Sequence, residues 1–131
     1  MDLDPSHDPA GDPRTRMRDV RAFRRALLAA SGFTALLWWI KIVETLVGRS
    51  LDAFGVVPRD PLGLIGVLTA PLIHGSWAHL LGNTLPMLVL GTLALYAYPL
   101  ASRRALPLIW LLSGLGTWLI GRESVHIGAS G

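Results

Sequence analysis

Cysteine is absent from the 131 residues, which excludes disulfide frameworks, thiolate nucleophiles and cysteine-rich zinc sites. Charge is absent from two long stretches, because residues 61–102 and 105–121 contain no Asp, Glu, Lys or Arg. A water-soluble domain seldom leaves such gaps, and here 51% of the residues are hydrophobic against 16% charged. The composition therefore predicts a membrane protein.

The positive charge lies mainly in arginines at the edges of apolar segments. Six precede the first apolar run: Arg14, Arg16, Arg18, Arg21, Arg24 and Arg25. They lack the aromatic or glycine interleaving of RNA-binding segments, so we expect no nucleic-acid partner. Two more, Arg103 and Arg104, lie on the same predicted side of the membrane, against three on the other side: Arg49, Arg59 and Arg122. Eight arginines on the side of the N-terminus against three on the opposite side predict that the N-terminus is cytoplasmic.

The apolar pattern predicts an all-α polytopic membrane protein with three transmembrane helices and the start of a fourth. Residues 1–25 are predicted to form a disordered, arginine-rich cytoplasmic tail. The elements predicted after it are a first transmembrane helix at about 26–47, a loop at 48–77, a second helix at about 78–100, a third at about 105–121, and a turn at 126–131.

Some local features refine this prediction. In the first helix, Lys41 and Glu44 are spaced i,i+3 and are expected to pair. Within the loop, apolar residues 62–75 are too few to span and are expected to re-enter the membrane or lie at its interface. The third helix contains Gly114 and Gly116, which favour close packing against another helix.

Three polar side chains stand in or beside the uncharged second helix: His74, His79 and Asn83. His79 and Asn83 are spaced i,i+4 and so share one helical face. Single polar residues in membranes can serve only as interhelical hydrogen bonds, worth about 0.6 kcal/mol on average. A zinc site is disfavoured, because the spacing is not HExxH and no carboxylate is near. Three together instead indicate a functional site without a metal.

The chain's last four residues, Gly128, Ala129, Ser130 and Gly131, form a GxSG sequence. Ser130 could merely cap a helix N-terminus. The small neighbours would also let a substrate backbone approach a nucleophilic hydroxyl, with backbone N–H groups beside it for an oxyanion.

HxxxxHxxxN at the start of the second core helix, followed by GxSG, closely resembles the rhomboid family of intramembrane serine proteases. The resemblance covers most of residues 54–131, including FGVVPR at 54–59, TAPLIHGSWAH at 69–79 and HIGASG at 126–131. It implies a partial rhomboid domain over 26–131, no cofactor, transmembrane protein substrates within the lipid bilayer, and a bacterial plasma membrane location.

Carried over by position, the resemblance makes Ser130 the nucleophile and His79 and Asn83 side-chain donors to the oxyanion hole. His74 would support the site and Gly128 would frame the nucleophile turn. Rhomboids take their general base from a histidine on a sixth helix, which lies outside these 131 residues, so the chain by itself is expected to be inactive. His126 is the only downstream histidine, and a loop or interface role fits it better than that of a base.

Two alternatives stay open. A rhomboid-like pseudoprotease or adaptor would bind transmembrane helices without cleaving them, and the missing base favours it, whereas the intact Ser130, His79 and Asn83 oppose it. A plain helical membrane subunit or transporter fragment is opposed by the common depth predicted for the polar residues.

Overall fold

The first helix is longer than its apolar run. In a computed structural model, which describes residues 13–128, helix α1 runs Pro13–Val47. Proline suits the first position of a helix because its fixed φ is already helical and its missing N–H would have had no partner there. The helix therefore begins well before the predicted start at residue 26, and the disorder predicted for residues 13–25 is corrected to helix. Residues 1–12 of the predicted tail lie outside the described residues.

The first loop, residues 48–76, is built from short helical turns. Helix α2, Ile65–Thr69, is preceded by 3-10 turns at Asp52–Phe54 and Leu62–Leu64 and followed by one at Ala70–Leu72. The hydroxyl of Thr69 donates to the carbonyl oxygen of Phe54 at 2.5 Å, which ties the two ends of this loop together. The apolar helical stretch Leu62–Leu72 is too short to cross a bilayer, as its length predicted.

Helices α3, Trp77–Ala97, and α4, Pro99–Ile120, follow almost without interruption. Their boundary is at Tyr98, because Pro99 starts α4, and Ser102 Oγ donates to the Ala94 carbonyl oxygen at 2.8 Å across the turn. The predicted second helix at 78–100 therefore ends earlier, at Ala97. The predicted third helix at 105–121 starts earlier, so that Arg103 and Arg104 lie inside α4 rather than in a loop.

The helices pack in two groups. Helix α1 packs along α3, and α2 packs against α4 at Gly114, where a Cβ atom would lie 2.9 Å from Val67 Cγ1. Close packing is thus seen at Gly114, whereas Gly116 has nothing within 4 Å of such an atom. Within residues 13–128, two helices, α1 and α3, are long and apolar enough to cross a membrane, and a third crossing through α4 stays a prediction.

An apolar cavity of about 750 Å³ separates α1 from α4. Its walls come from all three long helices, and residues 126–128 close one end. Phe33 of α1 and Trp110 of α4 reach across it, with ring centroids 6.1 Å apart. His74, His79 and Asn83 lie at the end of the bundle that residues 126–128 close.

Candidate active site

The start of helix α3 fixes two of the candidate residues. Ser76 has an extended backbone, and its hydroxyl accepts a hydrogen bond from the His79 N–H at 3.1 Å, so it caps the helix. His79 therefore lies in the first turn of α3, and Asn83 follows one turn later on the same face. A cap of this kind holds the first turn, and with it the His79 backbone, in one place.

His74 joins these residues from the loop just before the helix. Its side chain is 2% exposed, and Asn83 Nδ2 lies 3.1 Å from His74 Nε2. The amide nitrogen is the donor, so His74 Nε2 accepts and the ring is neutral with its proton on Nδ1. The rings of His74 and His79 meet edge to face, with centroids 5.1 Å apart. The structure thus brings together all three residues of the HxxxxHxxxN pattern.

Burial lowers the pKa of His74 below its ordinary value of 6.5, and the neighbouring His79 lowers it further. Both effects disfavour the imidazolium form. A neutral His74 can keep accepting the hydrogen bond from Asn83, whereas a protonated ring would offer only donors to that amide nitrogen.

Gly128 lies directly against His79. It is buried, has φ of +97°, and a Cβ atom at this position would fall 2.8 Å from His79 Cε1. Both facts require glycine, because L residues rarely adopt this φ and the ring occupies the space. The first glycine of the GxSG sequence is therefore in contact with a predicted oxyanion donor. Ser130, predicted as the nucleophile, lies outside the described residues, as do Ala129 and Gly131.

The first loop holds the segment that leads to this turn. Val56 and His126 form an isolated antiparallel bridge, in which each N–H donates to the other's carbonyl oxygen at 2.9 Å. Two residues later, the Gly128 N–H donates to the Ala70 carbonyl oxygen at 2.8 Å. Segment 126–128 is thus held by both ends of the loop. Sequence reasoning missed this role, because no local pattern marks a pairing between residues 70 positions apart.

Helix α1 contacts the first half of α3 through Trp38. Trp38 Nε1 donates to Thr84 Oγ1 at 3.0 Å, and the Trp38 ring packs on Trp77 with centroids 5.8 Å apart. These contacts flank His79 and Asn83 along α3. Trp38 was not predicted as part of the site, because a tryptophan within an apolar run looks like any lipid-facing residue.

The predicted pair of Lys41 and Glu44 is confirmed, with 2.7 Å between Nζ and Oε2. Glu44 also accepts the backbone N–H of Leu51 at 3.0 Å through Oε1. One carboxylate therefore joins the end of α1 to the beginning of the first loop.

His126 faces its own loop. Its Nε2 lies 3.1 Å from the Arg122 carbonyl oxygen and 3.3 Å from Ser124 Oγ. This local bonding, together with the bridge to Val56, accounts for His126 as a loop residue. A role as general base stays untested, because the position of Ser130 is not described.

Comparison with known proteins gives one family. A family model for the rhomboid domain matches residues 61–131. Uncharacterized proteins of Mycobacterium bovis and Mycobacterium tuberculosis are each 41% identical over 132 residues, covering 94% of this chain and 55% of the relative. An uncharacterized protein of Mycobacterium leprae is 36% identical over 105 residues, covering 76% of this chain and 42% of the relative. The chain thus spans about half the length of these curated relatives. No solved structure matches.

Proposed function

This chain belongs to the rhomboid family, and from that premise we propose that it carries the nucleophile and oxyanion-hole half of an intramembrane serine endopeptidase that cleaves transmembrane proteins. Ser130 is the proposed nucleophile, and His79 and Asn83 are the proposed side-chain donors. His74 is the proposed support for Asn83.

The observation that carries this proposal is the contact between Gly128 and His79. These residues are far apart in sequence, yet the glycine fits against the imidazole with no room for a side chain. Ser130 follows Gly128 by two residues, and two extended residues span at most about 7 Å. A nucleophile held this near His79 and Asn83 is within reach of a shared substrate carbonyl.

In the proposed reaction, Ser130 Oγ attacks the carbonyl carbon of the scissile peptide bond, and a histidine base accepts the hydroxyl proton. The carbonyl oxygen becomes an oxyanion. Collapse of this intermediate breaks the C–N bond, and the protonated base donates its proton to the leaving amine. Water then attacks the acyl-enzyme and regenerates Ser130.

Asn83 is suited to the oxyanion. Its amide nitrogen has two hydrogens, of which one is used on His74, so the second is available to a negatively charged oxygen. The bond to His74 also fixes the orientation of the amide before substrate binds, so no reorganisation is needed during the reaction. Removal of one such donor typically lowers the rate by about 10² to 10³.

The base is proposed to come from the part of the protein that the relatives have beyond the matched region. The cavity between α1, α3 and α4 fits a further helix, because it is apolar and Gly128 lies at its end. We propose that a fourth helix, opening at the nucleophile turn, packs there.

The proposed location is the plasma membrane of a bacterium, with the N-terminus in the cytoplasm. Crossings by α1, α3 and α4 would then place His79 and Asn83 near the outer surface. Water needed for the second half-reaction would enter from that side, where the first loop covers the bundle.

The experiment is cleavage of a fluorescent transmembrane peptide by the full-length protein in liposomes. Ser130→Ala should abolish cleavage, with Ser50→Ala, in the distant part of the loop, as a control that keeps it. Cleavage that survives in Ser130→Ala would refute the nucleophile. Binding of the peptide by the wild type without any cleavage would instead favour the adaptor function.

A further inference from the structure

The N-terminal part of α1 extends beyond the membrane. The helix has 35 residues, which at ~1.5 Å each is about 52 Å, whereas the hydrocarbon layer is about 30 Å thick. The apolar run begins at Ala26, so the excess is the segment 13–25. This segment carries six arginines against a single acid, Asp19. It therefore leaves the bilayer as a strongly positive helix, and its end nearest Ala26 lies at headgroup level.

Three of its arginines form a stripe on one face. Arg18, Arg21 and Arg25 follow at i, i+3 and i+7, which places them in line along the helix. All three are exposed, and none forms an ion pair with another residue between 13 and 128. The three guanidinium groups are thus available to an external partner.

The stripe points away from the bundle. Phe23 packs edge to face on Tyr96 of α3, with ring centroids 5.6 Å apart, so the bundle is on the Phe23 side of α1. At 3.6 residues per turn, the stripe lies roughly 140° to 160° around the helix from Phe23. It therefore faces the lipids next to the protein, not a neighbouring helix.

A second basic site lies at the same end of the bundle. Arg103 and Arg104 are exposed in the first two turns of α4, close to the turn that follows Tyr96. The contact between Phe23 and Tyr96 brings this turn level with the end of the arginine-rich segment. Positive charge from two separate helices is thus concentrated at one membrane surface.

We propose that the arginine stripe binds the headgroups of anionic phospholipids in the adjoining leaflet. Arginine matches a phosphate group with two parallel hydrogen bonds, and the stripe repeats this donor about every 5 Å along the helix. The bound lipids would fix the height of α1 in the bilayer.

The test places the full-length protein in nanodiscs of phosphatidylcholine with 20 mol% phosphatidylglycerol, and native mass spectrometry then identifies the lipids that stay bound after release. The wild type should retain phosphatidylglycerol in preference to phosphatidylcholine. Charge near an anionic surface is worth on the order of a fivefold change in affinity per arginine. The variant Arg18→Gln/Arg21→Gln/Arg25→Gln should therefore lose the preference at least fivefold, and 0.5 M salt should remove it from the wild type.

The matched control is Arg49→Gln/Arg59→Gln/Arg122→Gln, which removes three arginines at the opposite end and should keep the preference. A wild type without a preference, or one whose preference survives high salt, would overturn the proposal, and neither result depends on a variant that folds. Equal loss in both triple variants would show a general charge effect and not a stripe.

Discussion

The two halves of helix α3 are held in different ways. Side-chain hydrogen bonds hold the first half: Ser76 caps it, Asn83 bonds to His74, and Trp38 bonds to Thr84. The second half lines the apolar cavity with Leu90, Gly91 and Leu95. The same helix thus has one half whose side chains are joined by hydrogen bonds and another half that borders a cavity. Of α3, only the first half belongs to the candidate site.

The residues that position the site are therefore mostly different from those that line the cavity. Residues that position His79 and Asn83 come from α1, the first loop and segment 126–128. Substitutions there should change activity, whereas substitutions at positions in open space, such as Gly82 and Gly116, should leave activity nearly intact.

The largest effect is expected from Gly128→Val in the full-length protein. The added side chain would meet the His79 ring, and valine is strained at φ of +97°. We expect the cleavage rate of a transmembrane substrate in liposomes to fall by more than about 10³, since both the turn and an oxyanion donor are displaced. Gly116→Val is the control, because nothing lies within 4 Å of that position, and it should keep activity. Equal activities of the two variants would show that the contact between Gly128 and His79 does not matter for catalysis.

Next in size is Asn83→Ala, with an expected loss of about 10² to 10³ in kcat. The loss should appear in kcat and not in KM, because the oxyanion exists only in the transition state and intermediate. Gly82→Ala is the neighbouring control, in open space, and should behave as wild type. A rise in KM alone would assign Asn83 to substrate binding and remove it from the oxyanion hole.

The two halves can also be compared by stability. Leu80 is fully buried in the first half, so Leu80→Ala leaves a cavity and should lower the free energy of unfolding by about 2 to 5 kcal/mol. Leu93→Ala in the second half should cost less, because Leu93 is 51% exposed and lies outside the cavity wall. Chemical unfolding in detergent measures both free energies. A larger loss for Leu93→Ala than for Leu80→Ala would contradict this difference.

The smallest effect concerns pH. The pKa of His74 is lowered in the folded protein, chiefly by burial, so the unfolded chain binds the proton more readily. Stability from this group is therefore complete above the ordinary value of 6.5 and is lost as the pH falls below it. We expect Tm in detergent to decrease from pH 7 to pH 5, and His74→Gln to decrease less. Identical slopes would show that His74 is not the group responsible.

Local sequence patterns predicted the helices and the proximity of the three polar residues His74, His79 and Asn83. Helix α3 was predicted at 78–100 and is found at Trp77–Ala97, and His74, His79 and Asn83 converge as their spacing indicated. This succeeded because a helix fixes the relative direction of residues four apart. The pair of Lys41 and Glu44 was predictable for the same reason.

Contacts between distant residues and the starts of α1 and α4 were not predicted. The bridge between Val56 and His126 is non-local, so no window of sequence contains both partners. Residues 13–25 were expected to be disordered and Arg103 and Arg104 to lie in a loop, yet arginine is a good helix former. As a result, α1 and α4 both extend through arginine-containing segments that were expected to lie outside them.

The most direct test is the structure of the full-length protein after reaction of Ser130 with a fluorophosphonate, whose P–O oxygen takes the place of the oxyanion. We predict that this oxygen lies about 2.7 to 3.1 Å from Asn83 Nδ2, with the His79 ring beside it and the Asn83 bond to His74 intact. A phosphonate oxygen that points away from both side chains, or a Ser130 that does not react while the protein remains active, would contradict it.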